Sequence, residues 1–317
     1  GQIPIEEAEI DGSLIAWSGM AHIRKAQWSD VLCEKLGMDK KYLPKIVDSS
    51  AVCGTLCEEM ARITGLKSGI PLVAGAGDKV AGCVGAGILN IGDMIFEAGS
   101  YGGFSCTVED YRPDREEHYF DGIIGPSTKT MYAHKYISGS GISLDWFADT
   151  FATSKNTKEA FAELEGLAAQ VPPGSDGVLA IGLMGGSSMP YDGDIRGLWM
   201  GHNWAHGKGH FYRSLLESFS YDLALTIDRV AAKYPEYDLD TIKIIGGGAK
   251  SSFWTQMLAD VTGCTFQKIN REDIALWGAA ILAGHGIGVF SDLKETADKY
   301  VGIEKVFTPD MAKHDVY

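Results

Sequence analysis

The stretch Ile244-Ile245-Gly246-Gly247-Gly248-Ala249-Lys250-Ser251 constrains the fold of this chain more than any other. A β-branched run from Thr241 to Ile245 stops at three glycines. An amphipathic segment carrying Trp254, Met257, Leu258 and Val261 follows. The pattern reads as strand, glycine turn, helix. Such a turn offers backbone N–H groups at a helix start, with no Cβ to keep a ligand away. Alone it is a weak signal, because a glycine-rich turn after a strand is more often ordinary loop chemistry. Its weight comes from two more turns of the same kind upstream.

The first upstream turn follows Pro71-Leu72-Val73-Ala74, where Gly75-Ala76-Gly77 leads into Asp78 and Lys79. Ala81, Gly82, Gly85 and Ala86 come next, small residues spaced so that a helix can lie very close to another backbone. The second follows Met94-Ile95-Phe96-Glu97-Ala98 and consists of Gly99-Ser100-Tyr101-Gly102, a loop able to cup an anion.

The remaining pattern alternates strands and helices, which indicates an α/β architecture. Helical spacing covers residues 26–36, 58–64, 142–150, 157–170, 211–234, 250–261 and 274–284. Residues 132–137 read as a strand and 178–183 as a buried strand, whereas 108–130 reads as a surface loop or hairpin. The natural boundary lies between Gly87 and Gly92, dividing the chain into residues 1–90 and 91–317.

The length of 317 residues allows one large or two medium domains with real cores. The formal net charge of −14 argues against nucleic acid or an anionic membrane as a partner. A nucleotide would need its charge met locally, by backbone amides, a few Lys or Arg, and metal. The six cysteines show no Cys-x-x-Cys pair, Cys53 and Cys57 read as two packed thiols, and reduced cytosolic cysteines are expected. No apolar run is long enough to span a bilayer. A cytoplasmic location follows from these readings.

Taken in order, these motifs resemble the C-terminal part of the FGGY-type carbohydrate kinases, most closely the xylulokinase-like branch. Gly77-Asp78 with Ala81-Gly82 and Gly85-Ala86-Gly87 looks like the end of that family's N-terminal domain. Gly99-Ser100-Tyr101-Gly102 sits where the family usually has Gly-Thr-Ser-Gly. Pro190-Tyr191 with Arg196-Gly197, and Gly197 to Gly201 followed by His210 to Glu217, are similar to later signatures, with His202 in place of the usual aliphatic residue. Gly246 to Ser251, with Trp254-Thr255-Gln256 and Ala259 to Gly263, matches best, and Ala275 to Ala280 follows at the expected place.

The resemblance implies an actin-like ATPase fold, two ribonuclease-H-like domains facing a cleft, and transfer of phosphate from MgATP to a sugar or polyol hydroxyl. The 1–90 segment would be a remnant of the family's N-terminal, substrate domain. Residues 91–317 would form a complete or nearly complete C-terminal, nucleotide-binding domain. The chain opens at Gly1 and carries no Asp-x-Gly-Thr motif, so it reads as a fragment ending short of a last helix and inactive alone. Its metal ligands would lie outside it.

The resemblance also implies roles. Asp78 is the candidate general base, taking the proton of the hydroxyl that receives the phosphoryl group; an N-capping aspartate is the alternative, and spacing alone leaves the two even. Asp78 and Lys79 are the substrate-binding candidates, although xylulokinases often have Asn where Lys79 stands. Gly99, Ser100 and Gly102 are candidates for cradling phosphates, or else form a tight turn between strands. Gly246, Gly247, Gly248, Ala249 and Lys250 are candidates for the adenosine side, with Lys250 alternatively a solvated residue.

Arg196 reads as a domain bridge or a support of the cleft, and equally as a surface ion pair. His202, His206 and His210 read as solvated loop residues rather than a metal site. Trp146, Trp199, Trp204, Trp254 and Trp277 read as core.

The function expected is ATP-dependent phosphorylation of a ketopentose such as xylulose. Alternatives are a kinase of another ketose, a polyol or an autoinducer-2-like signal, or a non-catalytic nucleotide-binding regulator on the same fold. The expected partners are a small sugar, ATP and ADP, and a second copy in a homodimer.

Overall fold

The structure, a computed structural model, describes residues 4–317. The first segment contains β1 (Glu9–Asp11), α1 (Gly12–Ile15), α2 (Asp30–Lys35), β2 (Lys45–Val47), β3 (Val52–Thr55), α3 (Glu58–Thr64), β4 (Pro71–Val73) and α4 (Asp78–Gly85). β1 pairs with β2 in parallel, and β3 pairs with β4 antiparallel. The helix expected over 26–36 is confined to α2, because Gln27–Trp28 pairs as a short strand with Ala21–His22 and Ser29 caps the helix through Leu32 N–H.

The rest of the chain builds one seven-stranded sheet. Its strands are β5 (Met94–Glu97), β6 (Gly102–Val108), β7 (Asp121–Ile124), β8 (Met131–Ile137), β11 (Thr241–Ile245), β12 (Thr265–Ile269) and β13 (Ile303–Phe307). Their order is β13-β12-β11-β5-β6-β8-β7. The central neighbours β5, β11 and β12 run parallel, and the others antiparallel. β7 is a strand inside the segment expected to be a surface loop or hairpin. Its Gly122, Ile123 and Ile124 are buried, while Asp121 stays exposed.

Period-two alternation decides what each face of this sheet touches. Phe96, Phe104, Ile244 and Phe266 point to one side, into a core completed by Leu216, Phe219, Trp254 and Leu258. The helices there include α5 (Ser140–Phe151), α6 (Thr157–Ala168), α7 (Lys208–Lys233) and α8 (Ser252–Thr262). Ile95, Tyr132, Ile245 and Ile269 point to the other side, against Val80 and Cys83 of α4 and Ile274 of α9 (Ile274–Gly286). The C-terminal α10 (Leu293–Tyr300) and α11 (Met311–His314) lie at the periphery.

The pair β9 (Leu179–Ile181) and β10 (Leu198–Met200) corrects a second expectation. The 178–183 strand is short, and Leu179 and Ile181 are exposed rather than buried. The tryptophans divide as well. Trp254 is buried, Trp146 is half exposed, and Trp204 is fully exposed. Cys53 and Cys57 are both exposed rather than packed.

The closest helix crossing is that of α4 and α9. A Cβ at Gly278 would lie 1.8 Å from the Ala81 carbonyl oxygen, and one at Gly85 would lie 2.1 Å from that of Ile274. No side chain can bend away from such a contact, because the obstacle is backbone. Gly278→Ala is therefore expected to destabilise by about 3 kcal/mol or more, the upper range of overpacking costs. Gly166, exposed in α6 with nothing near its missing Cβ, is the control. Gly166→Ala should stabilise by roughly 0.5–1 kcal/mol. Urea midpoints of the two variants check both, and equal midpoints would refute the close-contact account.

Candidate active site

The turn that delivers Asp78 hangs from buried side chains. Asp11 accepts hydrogen bonds through one carboxylate oxygen from the Ser13 N–H (2.8 Å), the Ser13 hydroxyl (2.6 Å) and the Ser49 hydroxyl (3.1 Å). The Ser13 hydroxyl in turn accepts the Gly77 N–H at 2.8 Å, and the Ser49 carbonyl accepts the Gly75 N–H at 2.9 Å. Gly77 is the N-cap, so the N-cap reading of Asp78 fails by one position. Asp78 is the first residue of α4 and accepts the Lys79 N–H at 2.9 Å, and its side chain is exposed.

Lys79 reaches across to the sheet. Its ammonium donates to Glu97 Oε2, the last residue of β5, and lies 5.8 Å from the centre of the Tyr136 ring. Two residues beyond Glu97 the Gly99-Ser100-Tyr101-Gly102 loop begins. Its carbonyls are engaged by the start of α5. Gly99 O accepts the Gly141 N–H (3.1 Å) and the Ser140 hydroxyl (3.2 Å), and Ser100 O accepts the Ile142 N–H (3.1 Å).

The Gly246 turn lies beside this loop because β11 and β5 are parallel neighbours. Ala98 donates its N–H to Ile245 O, and Ala98 O accepts the Gly248 N–H, both at 2.8 Å. The three glycines do different things. Gly246 has φ +89°, and a Cβ there would meet Ala98 O at 2.8 Å. A Cβ on Gly248 would strike the Trp254 ring at 2.4 Å. Only Gly247 faces open space. Gly246, Gly247, Ala249 and Lys250 line a cavity of about 470 Å3 whose far wall includes Arg271 and Glu272. Lys250 pairs with Glu272 at 2.9 Å, both largely exposed.

Gly99 and Ser100 thus follow the C-terminal end of β5, Gly246 to Lys250 follow that of β11, Gly102 opens β6 beside them, and Lys79, next to Asp78, reaches Glu97 from α4. Open α/β sheets bind ligands at that edge. A model of the FGGY carbohydrate kinases' C-terminal domain matches residues 102–287, and one of their N-terminal domain matches residues 5–85. The chain belongs to the FGGY family of carbohydrate kinases.

It is 31% identical to the xylulose kinase of Bacillus subtilis (strain 168) and 26% identical to the autoinducer-2 kinase of Escherichia coli (strain K12). Each match covers 98% of this chain and 60% of the relative, so the chain spans 60% of the length of these curated relatives. A solved, ligand-bound xylulose kinase from Lactobacillus acidophilus superposes with a TM-score of 0.88 at 20% identity, over 99% of this chain and 62% of that one. The fold is the actin-like ATPase fold of the FGGY sugar kinases.

Several residues stand apart from their expected roles in this FGGY chain. The Arg196 guanidinium donates to the Gly193 and Ile195 carbonyls, and among the described residues it has no carboxylate partner, so the surface ion pair is not formed. His210 is helical, in the first turn of α7, where its ring accepts the Gly207 N–H at 3.1 Å. Among the described residues, no group of three or more His, Cys, Asp or Glu could hold a metal ion. Another cavity, about 710 Å3, is walled by Tyr101, Trp146, Tyr191 and Trp199, and neither Asp78 nor the Gly246 turn lines it.

Sequence reasoning missed Glu97, His134, Tyr136 and Trp17. Glu97 had a readable signal, an acid ending an apolar strand two positions before a glycine loop. His134 and Tyr136 share a face of β8 two residues apart, the β6–β8 register sets His134 opposite Ser105, and Trp17 reaches both from the first segment of the chain. The His134 ring bonds the Ser105 hydroxyl through Nδ1 at 2.9 Å and packs edge-on against Tyr136 and Trp17.

Burial, and next the Lys79 charge, push the His134 pKa from 6.5 down to about 3. The unfolded chain therefore takes up this proton first as the pH falls below 6.5, and stability is lost progressively towards pH 3. His134→Gln, which keeps a hydrogen-bonding side chain but does not titrate, should flatten the fall in melting temperature between pH 7.5 and 5. An unchanged slope would show that His134 is not the group responsible.

Proposed function

We propose that the protein to which this chain belongs phosphorylates a sugar hydroxyl with ATP, most simply that of a ketopentose such as xylulose. The observation that carries this reading is the meeting of Asp78 with two glycine loops at one sheet edge, joined through the Lys79–Glu97 pair. Asp78 acts as general base, removing the proton of the attacking hydroxyl as the phosphoryl group arrives. Lys79 lines the sugar side with it. Gly99, Ser100 and Gly102 face the phosphates, and Gly246, Gly247, Gly248, Ala249 and Lys250 the adenosine side.

Phosphoryl transfer asks little covalent chemistry of the protein, so positioning and charge stabilisation supply the rate. Mg2+ would arrive on the nucleotide phosphates, because Asp78 and Glu97 do not build a metal site of their own.

Lys79 favours a second reading within the same class. A lysine paired with Glu97, where xylulokinases often have Asn, changes the wall beside Asp78 and suits a sugar other than xylulose, and a thermal-shift screen of ketoses, polyols and an autoinducer-2-like sugar separates the two.

The same proposal places the domain boundary between residues 90 and 91 and the protein in the cytoplasm. Among the described residues no helix is long and apolar enough to cross a membrane. It also takes a homodimer as the working form. Leu179, Ile181, Leu198 and Met200 are all exposed on the β9–β10 ribbon and supply an apolar face for a second copy.

Two variants of the intact natural protein test the site. Asp78→Asn should leave ATP affinity nearly unchanged and lower turnover by roughly 10² or more. Near-normal turnover would reduce Asp78 to a helix-end residue. Gly247→Val should abolish ADP binding, since its branched side chain would fill the open space over the turn. Unchanged ADP affinity by calorimetry, in a folded variant, would remove this loop from the site.

A further inference from the structure

Lys79 and Glu97 belong to different parts of the chain. Lys79 is the second residue of α4, directly after Asp78, and Glu97 is the last residue of β5, two positions before Gly99. Their ion pair links the residue beside the candidate base to the strand end that leads into the candidate phosphate loop. The pair is sheltered, with 17% of the Lys79 side chain and 34% of the Glu97 side chain exposed.

Its surroundings hold it in one geometry. The Tyr136 ring lies against the ammonium, and Gly103, opposite Glu97 in the β5–β6 register, supplies no side chain to part the two. A Cβ on Gly103 would touch Glu97 Oε2 (3.9 Å), Lys79 Cε (3.9 Å) and His134 Cε1 (3.7 Å). The missing Cβ leaves a corner where the three converge beside Asp78.

We propose that Lys79 and Glu97 are paired positioning residues that lock the Asp78 turn to the Gly99–Gly102 loop, so that base and phosphate acceptor groups move as one unit. The inference rests on the kinase reading of Asp78. The ammonium of Lys79 is already committed to a carboxylate, so its first task is alignment rather than charge recognition of the substrate. An alignment error of about 1 Å can cost up to 10²-fold in rate, which gives such a lock its value. The pair does not displace Asp78 as the catalytic residue, because neither partner needs to exchange a proton.

The test uses the intact natural protein with D-xylulose and ATP, and hydrogen–deuterium exchange as a readout that needs no turnover. E97Q should lower kcat by about 10-fold or more with KM changed less than about 3-fold, K79M should lower kcat at least as far, and K79M/E97Q should lose no more turnover than K79M alone. K79R, which can still reach Glu97, should recover turnover relative to K79M. In exchange, both K79M and E97Q should loosen residues 78–81 and 98–102 together, whereas K79R should loosen neither.

Losses that multiply in the double variant, or K79M loosening only its own turn, would overturn the lock. Loss of turnover in Asp78→Asn alongside multiplying losses sinks the lock and leaves the kinase reading standing. Coupled exchange without any D-xylulose turnover sinks xylulose as the substrate and leaves the lock standing.

Discussion

The crossing of α4 and α9 is the contact on which the candidate site depends. Backbone touches backbone there, with Gly278 against Ala81 and Gly85 against Ile274. Helices joined by large side chains can slide as rotamers change, but two helices in backbone contact have no such freedom. The crossing therefore fixes α4 on the sheet face made by Ile95, Tyr132, Ile245 and Ile269. The Lys243 ammonium adds a second tie, donating to the Ala86 carbonyl at 2.7 Å where α4 ends. With the far end of α4 pinned, Lys79 in its first turn reaches the end of β5 at Glu97.

Charge explains why that geometry has to be tight. The chain carries a formal net charge of −14, so its overall field repels a polyphosphate. Attraction has to come from groups within a few ångströms. One nearby cation, Lys79, is already paired with Glu97, and another, Lys250, with Glu272. What remains are those backbone N–H groups of the two glycine loops that the loops do not use internally, as Gly248 and Ala249 use theirs. Their value depends on holding a fixed shape, which the bonds among Ala98, Ile245 and Gly248 provide.

Much of this was legible in the sequence. The three strand–glycine units were readable because an apolar run ending in glycine is a local signal, and residues 241–245 and 131–137 are strands as the pattern implied. The α4–α9 packing was half legible. Ala81, Gly82, Gly85 and, far away, Ala275, Gly278 and Ala279 announced close helix approach, but nothing in either segment named the other as its partner. The strand at 121–124 was hidden because Gly122 and the polar residues around it imitate a turn. The exposed ribbon at 179–181 was misread because apolar residues at alternating positions look the same whether their face is covered or open.

The charged pair beside Asp78 shows where sequence reasoning stops. Lys79 stood out as a departure from the family pattern, and read alone it suggested a direct contact with the sugar. Glu97, eighteen positions on, looked like the polar end of an apolar strand. Only the fold makes them one feature, because α4 lies across the strand that Glu97 terminates. A lysine with a carboxylate already in hand differs physically from a free one: it is neutralised, oriented, and poor at drawing a second anion. What a substitution at Lys79 does to substrate choice therefore depends on Glu97, and the two positions have to be interpreted together.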